Sequence, residues 1–187
     1  MKLIQLLLIG ERGAVGPGLG PGLDLNQLAR SLSQPGVHCE VLSAGLDPEP
    51  SFHSGRQQYY STDLLARMQK HLVPGCWRLL GVTPFDLYIP ILTFVFGEAQ
   101  VNGSCAVVST YRLRQEFYGL PTDPELLRQR LLKEAVHELG HTSGLTHCED
   151  YQCVMAPSHA VEWIDLKGSS LCDECRARTT ADGIVDC

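Results

Sequence analysis

The segment HELGHTSGLTH, residues 137–147, has the form H-E-x-x-H-x-x-G-x-x-H, and each of its five fixed positions suits a separate chemical task. His137 and His141 are four apart, so on an α-helix their rings leave one face a turn apart and can reach one metal ion. Neutral imidazole suits zinc in a tetrahedral site. Gly144 can adopt the left-handed conformation that ends a helix and turns the chain. That turn would bring His147 back as a third ligand. Three protein ligands leave a fourth position for water, which marks a catalytic site, and zinc lowers the pKa of such a water to about 7. Glu138, about 100° around the helix from His137, is placed to take the water's proton and return it to a leaving amine. The expected reaction is zinc-dependent hydrolysis of a peptide bond, with Glu138 as general base. A distant glutamate as third ligand is the nearest enzymatic alternative, and Gly144 and His147 argue against it. A non-catalytic, zinc-dependent peptide-binding module is the alternative from another class, and Glu138 argues against that, since a pure binding site needs no base.

The residues before the motif predict the helix that carries it. Asp123 is a good N-cap, Pro124 fits the first helical position, and Glu125 favours the positive end of the helix dipole. Leu127, Leu131, Leu132, Ala135, Val136 and Leu139 share one broad apolar arc, distinct from that of His137 and His141. Gly140 inside this helix costs about 1 kcal/mol relative to alanine, and close approach of another segment is a physical reason for it.

Downstream, Cys148 and Cys153 form one short pair and Cys172 and Cys175 another. Paired cysteines at such spacings are the pattern of a closed structural zinc site, which would staple the C-terminal part of the chain. Two disulfides, or four unrelated buried thiols, are the alternatives. Cys39 and Cys105 lie in apolar stretches and are expected as reduced core residues. Cys76 shows no pair spacing, and Cys187 is expected to be exposed.

The chain resembles the archaemetzincins, zinc peptidases of the metzincin clan. The resemblance rests on HELGHTSGLTHC at 137–148, CVM at 153–155, CDEC at 172–175, FVFGEA at 94–99, STYRL at 109–113, and Asp165 with Lys167. It implies a compact α/β domain with a mixed twisted sheet, an active-site helix and a zinc-stapled C-terminal segment. It implies a catalytic zinc on His137, His141 and His147, with Glu138 as base, and a second zinc on Cys148, Cys153, Cys172 and Cys175. Met155 is expected in a turn packed beneath the histidines. Either Phe96–Ala99 or Ala106–Thr110 is expected to run beside an extended substrate.

At 187 residues the chain is long enough for one domain with a sizeable core. We expect a single unit over 1–187, with the sheet and active-site helix in 1–143 and the third histidine, methionine turn and cysteine site in 144–187. The net charge of −6 and the lack of a basic run argue against nucleic acid as a partner. The N-terminal MKLIQLLLIG is too short to span a bilayer and has no convincing cleavage site. It is expected as a buried first strand of an unprocessed, cytoplasmic protein without a membrane partner, acting as a monomer on peptide or protein substrates. The Gly/Pro-rich stretch 13–22 reads as a loop and does not fit a phosphate-binding glycine pattern. Further expected elements are a helix over 25–33, a strand over 37–42, a loop over 44–56, a helix over 59–72, a strand over 86–96 weakened by Pro90, and a strand over 104–110. His38, His53, His71 and His159 lack partner spacing and are expected at the surface or hydrogen-bonded. Trp77 and Trp163 are expected to pack, and Tyr111 and Arg112 are candidates for holding a substrate carbonyl.

Overall fold

The computed structural model describes residues 1–10 and 18–179. Much of the glycine-rich stretch, together with Cys187, therefore lies outside the described residues. The chain opens with β1 (Lys2–Ile9), α1 (Leu25–Leu32) and β2 (Val37–Leu46). β1 and β2 pair in parallel, which is the expected βαβ start. After β3 (Phe52–His53) and β4 (Gln58–Tyr60) comes α2 (Ser61–Met68), followed by β5 (Cys76–Thr83), β6 (Leu87–Tyr88), β7 (Gly97–Ala99) and β8 (Cys105–Ser109). The long helix α3 (Pro124–Thr142) and the short helices α4 (Val161–Leu166) and α5 (Asp173–Arg178) complete it.

The main sheet has the order β2-β1-β5-β8-β7. The first four strands run parallel, and β7 alone is antiparallel, closing one edge against β8. A smaller sheet has the order β3-β4-β6. Because side chains alternate across a strand, Ile4, Leu6, Leu80, Val82, Ala106 and Val108 face α1 and α3. Leu7, Ile9, Leu79, Cys105 and Val107 face Leu64, Leu65 and Met68 of α2. Burial of both thiols raises the pKa of Cys39 to about 12 and of Cys105 to about 11, as suits reduced core cysteines.

The structure departs from the sequence expectations at four places. The predicted strand over 86–96 is formed only at Leu87–Tyr88. Pro90 has no N–H to donate to a ladder, and Ile91 beyond it is exposed. The chain then loops out and returns where the Val95 amide meets the Leu87 carbonyl at 2.9 Å. Conversely, β5 had no predicted counterpart, yet it is the sheet's central strand. It is covered on both faces, so its sequence CWRLLGVT lacks the two-residue alternation that marks a half-exposed strand. The loop expected over 44–56 is also shorter, since β2 continues to Leu46. The helix expected over 59–72 is α2 plus a single 3-10 turn, Gln69–His71.

α3 lies where its caps predict. The Asp123 side chain accepts the Leu126 amide at 3.0 Å, and Pro124 opens the first turn. Leu127, Leu131, Ala135, Val136 and Leu139 are buried, and Leu132 packs at the margin of the core. Replacing Leu131 with alanine should lower unfolding free energy by about 2–5 kcal/mol, read from denaturant titration. A loss below about 1 kcal/mol would contradict the placement of this face in the core.

Candidate metal centre and active-site cleft

The chemistry collects where α3 ends. His137 and His141 direct Nε2 atoms toward each other at 3.1 Å. The turn at Gly144, with φ of +89°, reverses the chain. Ser143 and Leu145 amides cap the Gly140 carbonyl, and the Gly144 amide reaches the His141 carbonyl at 2.9 Å. His147 then returns, its ring centroid 5.1 Å from that of His141 and 5.4 Å from that of His137. One ligand atom from each of the three lies within 4.8 Å of the others. A tetrahedral zinc with nitrogen ligands at 2.0–2.1 Å places its donors roughly 3.3 Å apart, so the donor set fits.

The other ring nitrogens are held by backbone. His137 Nδ1 meets the Val154 carbonyl at 2.8 Å, and His141 Nδ1 meets the Leu145 carbonyl at 2.7 Å. A carbonyl only accepts, so each Nδ1 carries the proton and each Nε2 keeps its lone pair for a metal. Burial pushes all three imidazoles below their ordinary pKa, most strongly His137, where Lys167 and His141 add to the effect. Neutral imidazole is the ligating form.

The turn containing Met155 lies directly beneath. A Cβ at Gly140 would meet Met155 Sδ at 2.4 Å, which explains a glycine in the last turn of a long helix. The Cys148 amide reaches the Met155 carbonyl at 3.0 Å, tying the third-histidine segment to this turn. Under it, Lys167 Nζ pairs with Glu134 at 2.8 Å and lies 3.4 Å from His137 Nδ1 and 3.3 Å from the Ala156 carbonyl. Both members of the pair are almost fully buried. Asp165 holds Arg130 through two contacts of 2.7 and 2.6 Å, fixing α4 to α3.

The four cysteines also converge. Their sulfurs lie within 4.8 Å of one another, and Cys148 Sγ is 3.7 Å from Cys172 Sγ. Sulfurs around a tetrahedral zinc at 2.3 Å are roughly 3.8 Å apart, whereas a disulfide requires about 2.05 Å. Backbone amides point at the sulfurs, from Cys172 and Met155 to Cys153 and from Cys175 to Cys172. The Cys175 amide lowers the Cys172 pKa, while burial raises those of Cys148 and Cys175. Four crowded sulfurs gain little from ionising together unless a cation neutralises them, which is the chemistry of a structural metal site.

Above the histidines is a cleft of about 340 Å³, bounded by Phe94, Phe96 and Gly97 on one side and by Pro157 and His159 on the other. Glu138, His137 and His147 face it. Glu138 is buried; burial first and Glu134 next raise its carboxyl well above the ordinary range. Gly97 is required here, because a Cβ would lie 2.6 Å from both Glu138 Oε1 and the Val107 carbonyl. Of the two strands expected beside a substrate, β8 is interior, paired with β5 and β7, whereas β7 is the edge of the main sheet. Arg112 does not reach into the cleft: it is held by Asp86 through two 2.7 Å contacts and stacks on Phe94, so it braces the rim. Tyr111 packs on Phe117. His159 is exposed but not isolated, since it lines the cleft and packs edge-on against Trp163 at 5.7 Å. Trp163 itself is 53% exposed, contrary to the expected packing role.

The family model of peptidase family M54 matches residues 65–180, well over half of the chain. The chain belongs to peptidase family M54. The archaemetzincin of Methanocaldococcus jannaschii is 42% identical over 146 residues, 78% of this chain and 79% of that protein. The crystal structure of archaemetzincin from Methanopyrus kandleri superposes with a TM-score of 0.78 at 34% identity, covering 95% of this chain and 93% of that one. A zinc-dependent peptidase from Methanocorpusculum labreanum gives 0.77 at 30% identity, covering 95% and all of that chain. The M54 chain described here is thus a zinc metallopeptidase of archaemetzincin type, with the mixed α/β fold that its resemblance implied. As a peptidase it acts on peptides. Among the described residues no helix is long and apolar enough to cross a membrane.

Lys167 entered the sequence reading only through the resemblance and without a role, and neither Glu134 nor His159 was singled out as a site residue. The one sequence signal was Glu134 on the turn before His137. For Gly140, the packing with Met155 reverses a familiar rule. Alanine normally stabilises a helix interior by about 1 kcal/mol over glycine, but Gly140→Ala should destabilise this protein. Met155→Ala in the same chain should relieve much of that loss. Thermal unfolding of the wild type, the two single variants and the double variant tests this, and a stabilised Gly140→Ala protein would contradict the contact.

Proposed function

We propose that His137, His141 and His147 hold the catalytic zinc, that Glu138 is the general base, and that Cys148, Cys153, Cys172 and Cys175 hold a second, structural zinc. On this reading residues 1–187 act as one metallopeptidase domain. The observation that carries it is the convergence of two histidine Nε2 atoms at 3.1 Å beside a buried carboxylate in an open cleft.

Bound by the histidines, zinc supplies Lewis acidity to the scissile carbonyl and acidifies a water. The chain's own groups do the rest. The β7 edge offers main-chain hydrogen bonds to an extended peptide and aligns its carbonyl over the histidines. Gly97 lets that edge approach Glu138 without a side chain intervening. The Glu138 carboxylate takes a proton from the attacking water and passes it to the departing amine. Burial and the nearby Glu134 raise the Glu138 carboxyl, and a neighbouring dication would favour the ionised form that a base requires. Phe94, Phe96 and Pro157 limit water around the carboxylate. Gly144 and Met155 act by position, the first by turning His147 inward and the second by supporting the helix beneath His137 and His141.

Glu138→Ala should keep its metal and lose about 10²–10⁴-fold in kcat/KM on a peptide mixture. Zinc analysis should give two ions per chain in this variant and in the wild type, but one in His147→Ala. Undiminished cleavage by Glu138→Ala would sink its role as base. A single zinc in metal-replete wild type would sink the second site.

A further inference from the structure

A second cavity, of about 540 Å³, adjoins the cleft and shares His147 and Pro157 with it. Its lining is mostly apolar: Tyr151, Ala156 and Pro157, with Trp163 and Leu166 of α4, beside His147, Cys148 and Glu149. Tyr151, Trp163 and Leu166 are 73%, 53% and 76% exposed. Three large apolar side chains from two chain segments, gathered around one opening, are the composition of a binding surface and not of ordinary solvated exterior. The volume falls within the range of small-ligand sites, so a large aliphatic or aromatic side chain can enter.

The walls are fixed to the helix that carries the chemistry. Arg130 holds Asp165 of α4, and Lys133 Nζ of α3 donates to the Ile164 carbonyl at 2.9 Å. On the Tyr151 side, the segment between Cys148 and Cys153 is bounded by two members of the cysteine cluster, and the Gly168 amide binds the Gln152 carbonyl at 2.8 Å. The cavity therefore keeps a constant position relative to His147. His159, which lines the cleft, packs on Trp163, which lines the cavity.

We infer that this cavity is a specificity subsite that takes a bulky apolar side chain of the peptide substrate, at a fixed distance from the bond cleaved in the adjoining cleft. The inference rests on the peptidase reading of the histidine site. Its continuity with the cleft through His147 and Pro157 singles out the substrate as occupant. The cysteine cluster then has a second consequence, since it shapes one wall of the subsite as well as stapling the chain.

The test is cleavage of peptide libraries by the zinc-loaded wild type and by Trp163→Ala/Leu166→Ala, in which each position is varied in turn. The wild type should prefer leucine, phenylalanine or a similar residue at one position. The variant should lose about tenfold in kcat/KM on those peptides and stay within about twofold on their alanine counterparts. Tyr151→Ala should flatten the same position. No apolar preference in the wild type, an unchanged preference in the variants, or an equal loss on every peptide would overturn the inference. A wild type that cleaves nothing would instead overturn the peptidase reading. The cavity is then tested by fluorescence anisotropy with a labelled alanine-rich peptide carrying one phenylalanine and its all-alanine counterpart. Tighter binding of the first, lost in the double variant, supports the subsite, and equal affinities overturn it. Sedimentation showing a wild-type dimer that the double variant abolishes would assign the face to a second copy and overturn it too.

Discussion

The structure depends on the contact between Met155 and Gly140. A helix that carries two histidines on one face cannot by itself hold a third donor or fix the tautomer of the first histidine. The turn at 153–156 does both. Its thioether fits where Gly140 has no side chain, its Val154 carbonyl holds Nδ1 of His137, and its Met155 carbonyl holds the chain at Cys148, one residue after His147. The close fit explains why the helix accepts the intrinsic cost of glycine near its end. It also makes the two ligand clusters neighbours in a mechanical sense, because the cysteine segment supplies the turn that supports the histidines.

Charge reinforces the same junction. Glu134 and Lys167 are buried together beneath His137. An isolated buried charge costs several kcal/mol, and removing one partner of such a pair typically costs about 3–5 kcal/mol. The pair is therefore a strong constraint on how the chain after α4 meets α3, even though forming it need add little net stability. Arg130 and Asp165 repeat the link one turn earlier, nearer the surface. On the opposite side of the cleft the constraint is steric: Gly97 lets the antiparallel edge strand lie against Glu138, while β8 beneath it stays wholly inside the sheet.

What could be read from the sequence follows from the range of the forces involved. α3, its Asp123 cap and Pro124 start, the paired histidines and the reversal at Gly144 obey local rules, and the structure has each of them. The two cysteine pairs were legible because metal-ligand spacing is itself local. The central strand β5 was not, since burial on both faces removes the alternation by which strands are recognised. Residues 89–96 were apolar enough to suggest a strand, but Pro90 and the tertiary demand for a cleft rim made them a loop. Trp163, Leu166 and His159 were unreadable for a different reason. Their positions depend on how α4 docks on α3, through side chains about thirty residues apart, and nothing in the local pattern separates an exposed tryptophan beside a cleft from one in a core. Gly140 carried a partial signal: the sequence showed that something must approach it, and the structure shows that Met155 does.

The most direct measurement is anomalous diffraction at the zinc edge from crystals of the metal-replete protein. Two peaks are predicted, one among Nε2 of His137, Nε2 of His141 and the ring of His147, and one among the sulfurs of Cys148, Cys153, Cys172 and Cys175. No peak at the histidines, or coordination through Nδ1 of His137 with its Val154 contact broken, would contradict the account.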